Sequence, residues 1–139
     1  APSSFTNSHA RLPADTVLPR LIVAQAAGCA PLVRAFAAGA DHAEPWQDPV
    51  TKAAGLRVPG PLGDRLVLRA LRATRGAAAA VDEATIQRAT RTLANATGVD
   101  AAPEGGAALA VLADLVRDGT IPRDADVVLF NTGAGASYR

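Results

Sequence analysis

Short apolar segments alternate with longer amphipathic segments along this chain, and that alternation limits the fold more than any other feature. It predicts β-strands at 20–25, 77–81 and 126–130, with helices between them. Pro31 and Pro103 stand where helices are expected to begin, because the first helical residue needs no amide hydrogen. Strands joined by helices form parallel sheets that are covered on both faces. The sequence therefore predicts an α/β fold with a largely parallel sheet flanked by helices.

Glycines and one aspartate mark where the predicted helices end and begin. Asp82 is expected to cap a helix that runs to about residue 97, since its carboxylate can accept hydrogen bonds from the first free amides. Glycine readily ends a helix, and a glycine follows each segment of helical periodicity. These glycines are Gly39, Gly76, Gly98 and Gly119. The chain is long enough for one domain over residues 1–139, of which 1–19 are expected to be poorly ordered.

Charge and composition limit the classes of partner. The 14 basic and 13 acidic residues give a formal net charge of +1, which supplies no attraction to nucleic acid or to an anionic membrane. We therefore expect neither partner. Hydrophobic residues make up 49% of the chain, which is typical of globular proteins and not of disordered chains.

Three features of the sequence predict a cytoplasmic protein. Cys29 is the only cysteine, so no disulfide can form within the chain and a reducing compartment is the simpler interpretation. No segment has enough consecutive apolar residues to cross a bilayer. The first residues, APSSFTNSHARLPADTV, lack the basic start and the apolar middle of a signal peptide.

The last predicted strand runs into a glycine-rich segment, NTGAG, at residues 131–135. Only two glycines of the dinucleotide-binding fingerprint are present, and the Gly-Lys-Ser/Thr of a phosphate-binding loop is absent. In one interpretation the segment is a glycine turn in which Thr132 bonds its own backbone. In the other, Thr132 presents its hydroxyl to a polar atom of a cofactor, and Gly133 and Gly135 allow close approach. The residues alone favour the turn.

Metal ligands and nucleophiles are not indicated by the remaining polar residues. His9 and His42 stand far apart without metal-ligand spacing, so no metal site is predicted. Cys29 has no histidine or carboxylate beside it in the sequence and is expected to be a small buried packing residue. No residue of the chain is assigned a catalytic role.

Glu104 opens a predicted helix whose next four residues, GGAA, are all small. Small residues let a helix approach something flat, which is a sheet in one interpretation and a planar ring in another. By itself Glu104 is expected to serve only the positive end of the helix dipole. If this helix packs beside the strand that carries Thr132, both side chains would face one cavity at the carboxyl ends of the strands.

Four segments of the chain together carry a family resemblance: PRLIVAQAAGCAPLVRAF, AAGLRVP, PEGGAALAVLADLVRDGTI and VVLFNTGAGASY. In this order they resemble the C-terminal part of threonine synthase and its close relatives. The resemblance implies a large domain of fold type II, the tryptophan-synthase-β-like fold of pyridoxal-phosphate enzymes. It also implies that residues 1–139 are the C-terminal portion of a larger catalytic domain.

The resemblance implies which residues form one wall of a pyridoxal 5'-phosphate site. Thr132 would bond the pyridine nitrogen of the cofactor, with Gly133 beside it, and Glu104 would lie near the same ring. Gly55, in AAGLRVP, would lie in a loop along the edge of the ring. The Schiff-base lysine and the phosphate-binding loop of the family precede all of these segments, and Lys52 is not expected to replace that lysine.

The activity that the resemblance implies is that of a lyase of threonine biosynthesis, which converts O-phosphohomoserine and water to threonine and phosphate. The implied partners are the N-terminal part of the same enzyme and a small phosphorylated amino-acid substrate. Whether the protein forms a homodimer is left open. The chain alone is expected to be inactive without the lysine and the phosphate loop.

Two departures leave other functions open. Where the family usually has Leu-Lys after the second glycine, this chain has Ala136 and Ser137. The chain also stops at Arg139, where relatives often continue. A related fold type II enzyme, such as a serine/threonine dehydratase or a cysteate synthase, is therefore one alternative. A non-catalytic α/β module that binds a partner through exposed apolar surface is another.

Overall fold

A computed structural model describes residues 16–138 of the chain. The strands and helices are, in chain order, β1 (Ile22–Ala26), α1 (Pro31–Ala37), α2 (Asp64–Ala73), β2 (Ala77–Val81), α3 (Glu83–Thr97) and α4 (Pro103–Arg117). Short 3-10 turns lie at Ala54–Leu56 and Gly135–Tyr138. The segment 1–19 was expected to be poorly ordered, and its residues 1–15, with His9, lie outside the described residues.

The two strands form a parallel pair, with Ile22 opposite Ala77 and Ala26 opposite Val81. Side chains alternate between the two faces of such a pair, so Ile22, Ala24 and Ala26 share a face, and Val23 and Gln25 share the other. Each face is covered by its own pair of helices. The predicted α/β architecture, with a parallel sheet flanked by helices, is thus present.

The larger core lies between the sheet and the helices α3 and α4. Ile86 of α3 and Val111 of α4 are each about 1% exposed and pack with the face of the sheet that carries Ala26. Gly106 brings the two helices close together, because a Cβ at that position would lie 2.7 Å from the carbonyl oxygen of Ile86 and 2.8 Å from the amide of Thr90. The small residues of α4 therefore serve helix–helix packing.

The second core lies on the opposite face, where Leu32 and Ala35 of α1 pack against Leu68 of α2, with Val23 beside them. Gln25 is buried on this face, and its Oε1 accepts hydrogen bonds from the amides of Leu32 at 3.0 Å and Val33 at 3.1 Å. These are free amides of the first turn of α1, so a strand side chain caps a helix that has no side-chain cap of its own.

The predicted helix boundaries are confirmed at both ends of α3. The carboxylate of Asp82 accepts a hydrogen bond from the amide of Thr85 at 2.8 Å, and Gly98 ends the helix with a positive φ of 73°. The hydrogen bond from the Thr85 amide also holds the pKa of the Asp82 carboxyl below its usual value. Pro103 begins α4 as predicted, and Gly119 follows it with a φ of 81°.

The strand predicted at 126–130 is wrong for this structure, because these residues form no strand. Val128 is 81% exposed and Phe130 is 75% exposed. A strand needs a neighbouring backbone to pair with, and none of residues 16–138 pairs with this segment. The run of apolar residues indicates that the segment can be buried. Strand formation also requires a second strand whose backbone forms hydrogen bonds with it, and the run does not specify one.

None of the helices in the described part of the chain has the length and apolar character needed to cross a membrane.

We predict that Gly106→Ala lowers the free energy of unfolding by about 1–3 kcal/mol, because the new methyl group overlaps the backbone of α3. Gly60→Ala is the matched control, since a Cβ at Gly60 meets nothing within 4 Å, and it should change stability by less than about 0.5 kcal/mol. Urea denaturation followed by circular dichroism measures both. Equal stability of the two variants would contradict the close packing of α3 against α4.

Candidate functional site at the carboxyl edge of the sheet

The two strands end at the same edge of the sheet, since they are parallel. The chain turns at Gly28 after β1, and α3 begins directly after β2. Ligand sites of open α/β sheets lie outside this carboxyl edge. The loop that connects α1 to α2 crosses the edge, and we call its residues 50–57 the edge loop.

The edge loop is joined to the end of β1 by its backbone. The amide of Val50 donates a hydrogen bond to the carbonyl oxygen of Gly28 at 3.0 Å. Gly28 permits this contact because a Cβ there would overlap the carbonyl of Val50. The edge loop therefore lies directly over the turn that follows β1.

Glu83, in the first turn of α3, holds the next part of the edge loop. The hydroxyl of Thr51 donates to Glu83 Oε1, and the amide of Lys52 donates to Oε2 at 3.3 Å. Thr51 is only 6% exposed, and its hydroxyl also accepts the amide of Ala53 at 3.1 Å. A carboxylate near the positive end of a helix is favourable in itself, and here it also fixes a loop.

Glu104, in the first turn of α4, holds the loop further along. Its Oε1 accepts a hydrogen bond from the amide of Gly55 at 2.9 Å and another from the hydroxyl of Tyr138. A Cβ at Gly55 would lie 2.7 Å from the same oxygen, so the absence of a side chain permits this approach. No group among residues 16–138 donates to Glu104 Oε2.

The glycine-rich segment at the end of the described chain packs against the residues that lead into α4. The amide of Ala102, the N-cap of α4, donates to the carbonyl of Gly133 and to Asn131 Oδ1, each at 3.2 Å. The amide of Gly135 donates to the carbonyl of Asp100 at 2.9 Å, and a Cβ at Gly135 would overlap the Asp100 carboxylate. These glycines therefore allow one backbone to lie on another.

Thr132 lies between Asn131 and Gly133, which are both held on the N-terminal end of α4. Its side chain is exposed and makes no hydrogen bond to any described residue. The backbone-bonding turn that the residues alone favoured for Thr132 is therefore not formed. Instead, Asn131 provides the bonds that stabilise the turn, because its Nδ2 donates to the carbonyl of Gly133 at 2.9 Å.

An open groove of ≈ 560 Å³ borders this site. Its charged side chains are Lys52, Glu83 and Arg91. The remaining lining residues are Ile86, Gln87, Thr90, Pro103 and Tyr138. Tyr138 contributes both to the groove and to the hydrogen bond with Glu104, so the two features share a wall.

The structure brings the four site residues predicted from the sequence to one region. Gly55 and Glu104 are in direct contact, and Gly133 contacts Ala102 at the start of the same helix. Thr132 adjoins Gly133. Four further residues of this region were not predicted from the sequence: Thr51, Glu83, Asn131 and Tyr138. Asn131 and Tyr138 carried a signal, since both lie in the segment VVLFNTGAGASY, whereas Thr51 and Glu83 carried none.

The family of the chain follows from a comparison of the sequence with known families. The sequence model described as "Pyridoxal-phosphate dependent enzyme" matches residues 6–133. The chain belongs to this family. The predicted membership of the fold type II pyridoxal-phosphate enzymes is thereby confirmed, and the cofactor of the family is pyridoxal phosphate.

Curated relatives of this family member include several threonine synthases. The one from Methanosarcina acetivorans is 35% identical over 116 residues, which cover 84% of this chain and 29% of the relative. The one from Methanocaldococcus jannaschii is 33% identical over 118 residues, which cover 85% of this chain and 29% of the relative. A third, from Mycobacterium leprae, is 32% identical over 131 residues, which cover 94% of this chain and 34% of the relative. The chain thus spans about a third of the length of these relatives.

Two solved structures share the fold. The structure of maize serine racemase matches with a TM-score of 0.54 and 25% identity, over 66% of this chain and 27% of the other. The crystal structure of the T.th. threonine deaminase matches with a TM-score of 0.58 and 19% identity, over 77% of this chain and 40% of the other. Both matches support the α/β fold.

We predict that Gly55→Ala displaces the Glu104 carboxylate and releases the amide of residue 55. Since hydrogen bonds to a charged group contribute about 1.5–3 kcal/mol, this amide should exchange with solvent about ten- to a hundredfold faster. Hydrogen exchange followed by NMR measures the change. Gly60→Ala, in the same connection, is the control and should leave the amide of Gly55 unchanged. Equal protection in all three proteins would contradict the contact.

Proposed function

We propose that this chain is the C-terminal portion of a pyridoxal-phosphate-dependent, threonine-synthase-like lyase. The complete enzyme would convert O-phosphohomoserine and water to threonine and phosphate. The observation that carries the proposal is the position of Thr132. Its hydroxyl is exposed, bonds no residue among 16–138, and adjoins backbone held on the end of α4 that also carries Glu104, the partner of Gly55.

The residues at the carboxyl edge fit one wall of a pyridoxal-phosphate site by the chemistry of their groups. A hydroxyl is a suitable partner for a pyridine nitrogen, and the side chain of Thr132 is exposed at this edge. The glycines at 55 and 133 let Glu104 and Ala102 pack closely against the backbone of this wall. Bound pyridoxal phosphate supplies an electron sink, whose depth the protein tunes through the group at the ring nitrogen.

Thr132 would act on the protonation of the ring nitrogen. A carboxylate at this place would keep the nitrogen protonated, whereas a neutral hydroxyl would donate a hydrogen bond to an unprotonated nitrogen and keep its proton. The unprotonated ring is the weaker electron sink, which suits eliminations and replacements. Asn131 and Gly133 would orient the hydroxyl, because both are bonded to the N-cap of α4.

The lysine that binds the cofactor and the loop that holds its phosphate would come from the N-terminal part of the enzyme. Lys52 is the only lysine of this chain. It lies on the edge loop, where its amide bonds Glu83 and its side chain lines the groove. We therefore expect no turnover from the 139 residues alone, and turnover when the N-terminal part is present.

The curated relatives support threonine synthase among the reactions of this fold. Those reported above are all named threonine synthase, at 32% to 35% identity, whereas the match to the threonine deaminase, at 19% identity, supports only the fold. Phosphate release from O-phosphohomoserine by the complete enzyme would support the proposal. Formation of a 2-oxo acid from L-threonine or L-serine, without phosphate release, would instead identify a dehydratase.

We predict that Thr132→Ala in the complete enzyme weakens pyridoxal phosphate binding about five- to tenfold. This corresponds to the loss of one hydrogen bond of about 1 kcal/mol. Thr132→Ser keeps the hydroxyl and should bind nearly as the wild type does. Thr132→Asp should shift the absorption spectrum of the cofactor and lower turnover, because it favours the protonated ring. A titration followed by cofactor absorbance and fluorescence measures all three.

Ser137→Ala is the matched control for this series, since it removes an exposed hydroxyl from the nearby 3-10 turn. It should leave both affinity and spectrum unchanged. If Thr132→Ala and Thr132→Asp behave as Ser137→Ala does, Thr132 does not contact the ring.

A further inference from the structure

Tyr138 connects three segments that are far apart in the sequence. Its hydroxyl bonds Glu104, which is 34 residues away, and lies 3.5 Å from the amide of Gly55, which is 83 residues away. Gly55 and Glu104 are themselves bonded across 49 residues. The edge loop, the first turn of α4 and the last 3-10 turn therefore meet at one carboxylate oxygen.

We propose that Tyr138 is a positioning residue of the cofactor site, which holds the Glu104 carboxylate in a single orientation toward the ring. This inference rests on the proposed function and extends it to a residue that neither the sequence motifs nor the family resemblance assigned. Tyr138 itself acts through Glu104.

The pattern of hydrogen bonds at Glu104 supports this role. Both donors, the Gly55 amide and the Tyr138 hydroxyl, bind the same oxygen, Oε1. A glutamate side chain has several rotatable bonds, and one donor leaves the carboxylate able to turn. Two donors from different segments hold Oε1 in place and so limit this rotation. Oε2 accepts no hydrogen bond from residues 16–138, so it is the oxygen left to face a ligand.

Charged groups from the neighbouring elements lie around the pair of Tyr138 and Glu104. Lys52 from the edge loop and both Glu83 and Arg91 from α3 line the adjoining groove. Asp100, before α4, bonds the amide of Ala136 in the turn that carries Tyr138. The hydrogen bond to Glu104 is the main cause that raises the pKa of the Tyr138 hydroxyl above its usual value, since ionisation would place two negative charges together.

The raised pKa has a defined effect on stability. The folded protein holds the phenol proton more tightly than the unfolded chain does. The contact therefore stabilises the fold below the usual pKa of tyrosine, about 10, and this contribution is lost as the pH rises through the folded-state value.

The first test uses the fact that Tyr138 is the only tyrosine of the chain. Tyrosinate absorbance near 295 nm (a wavelength chosen for the phenolate) therefore titrates one residue. In the folded 139-residue chain the midpoint should lie above that of the same chain in concentrated urea. Glu104→Gln should move the midpoint back toward the urea value. A wild-type midpoint equal to the urea value would overturn the proposal, whether or not the variant folds.

The second test compares cofactor binding in the complete enzyme. Tyr138→Phe and Glu104→Gln should each weaken pyridoxal phosphate binding about three- to tenfold, and the double variant should be no weaker than Glu104→Gln alone. Both variants should also alter the fluorescence of the bound cofactor. Ser137→Ala, which removes the neighbouring hydroxyl, is the control.

The outcomes separate this inference from the proposed function. If Tyr138→Phe binds the cofactor with wild-type affinity and spectrum while Glu104→Gln does not, the positioning role is wrong and the proposed function stands. Wild-type binding by both variants also overturns the role. If the complete enzyme fails to bind pyridoxal phosphate, the proposed function is wrong, and the role of Tyr138 toward a cofactor is wrong with it.

Discussion

Two carboxylates at helix N-terminal ends hold the candidate site together. Glu83 in α3 and Glu104 in α4 both accept hydrogen bonds from the edge loop, the first through Thr51 and Lys52 and the second through Gly55. Each carboxylate lies where a helix dipole favours negative charge. Because α3 and α4 pack closely through Gly106, the carboxylates of Glu83 and Glu104 are fixed relative to each other. The edge loop, which is bonded to both, is therefore held in one position.

The elements with strong local signals were predictable from the sequence. The strand at 77–81 and the helix from Asp82 to Gly98 were predicted with the observed bounds, because a short apolar run, an N-cap and a glycine stop act within a few residues. The strand at 126–130 was wrong because strand formation depends on a neighbouring backbone, which an apolar run cannot specify. Gln25 was unforeseen for a similar reason, since its role as a cap depends on where α1 lies in space.

The candidate site was predictable only in part. The family resemblance selected Thr132, Gly133, Glu104 and Gly55, and the structure brings them to one end of α4. Their assigned contacts with a cofactor ring stay predictions. The contact of Tyr138 with Glu104 and that of Thr51 with Glu83 were not predicted, because they join residues 34 and 32 positions apart and no local pattern indicates such a pairing. Such contacts depend on tertiary geometry.

The central claim is that the hydroxyl of Thr132 bonds an unprotonated ring nitrogen in the complete enzyme. The most direct measurement is the ¹⁵N chemical shift of that nitrogen, recorded with ring-labelled pyridoxal phosphate bound to the wild type and to Thr132→Ala. The account predicts the shift of an unprotonated, hydrogen-bonded pyridine in the wild type, and a clear change in the variant. A protonated nitrogen in the wild type, or an identical shift in both proteins, would contradict it.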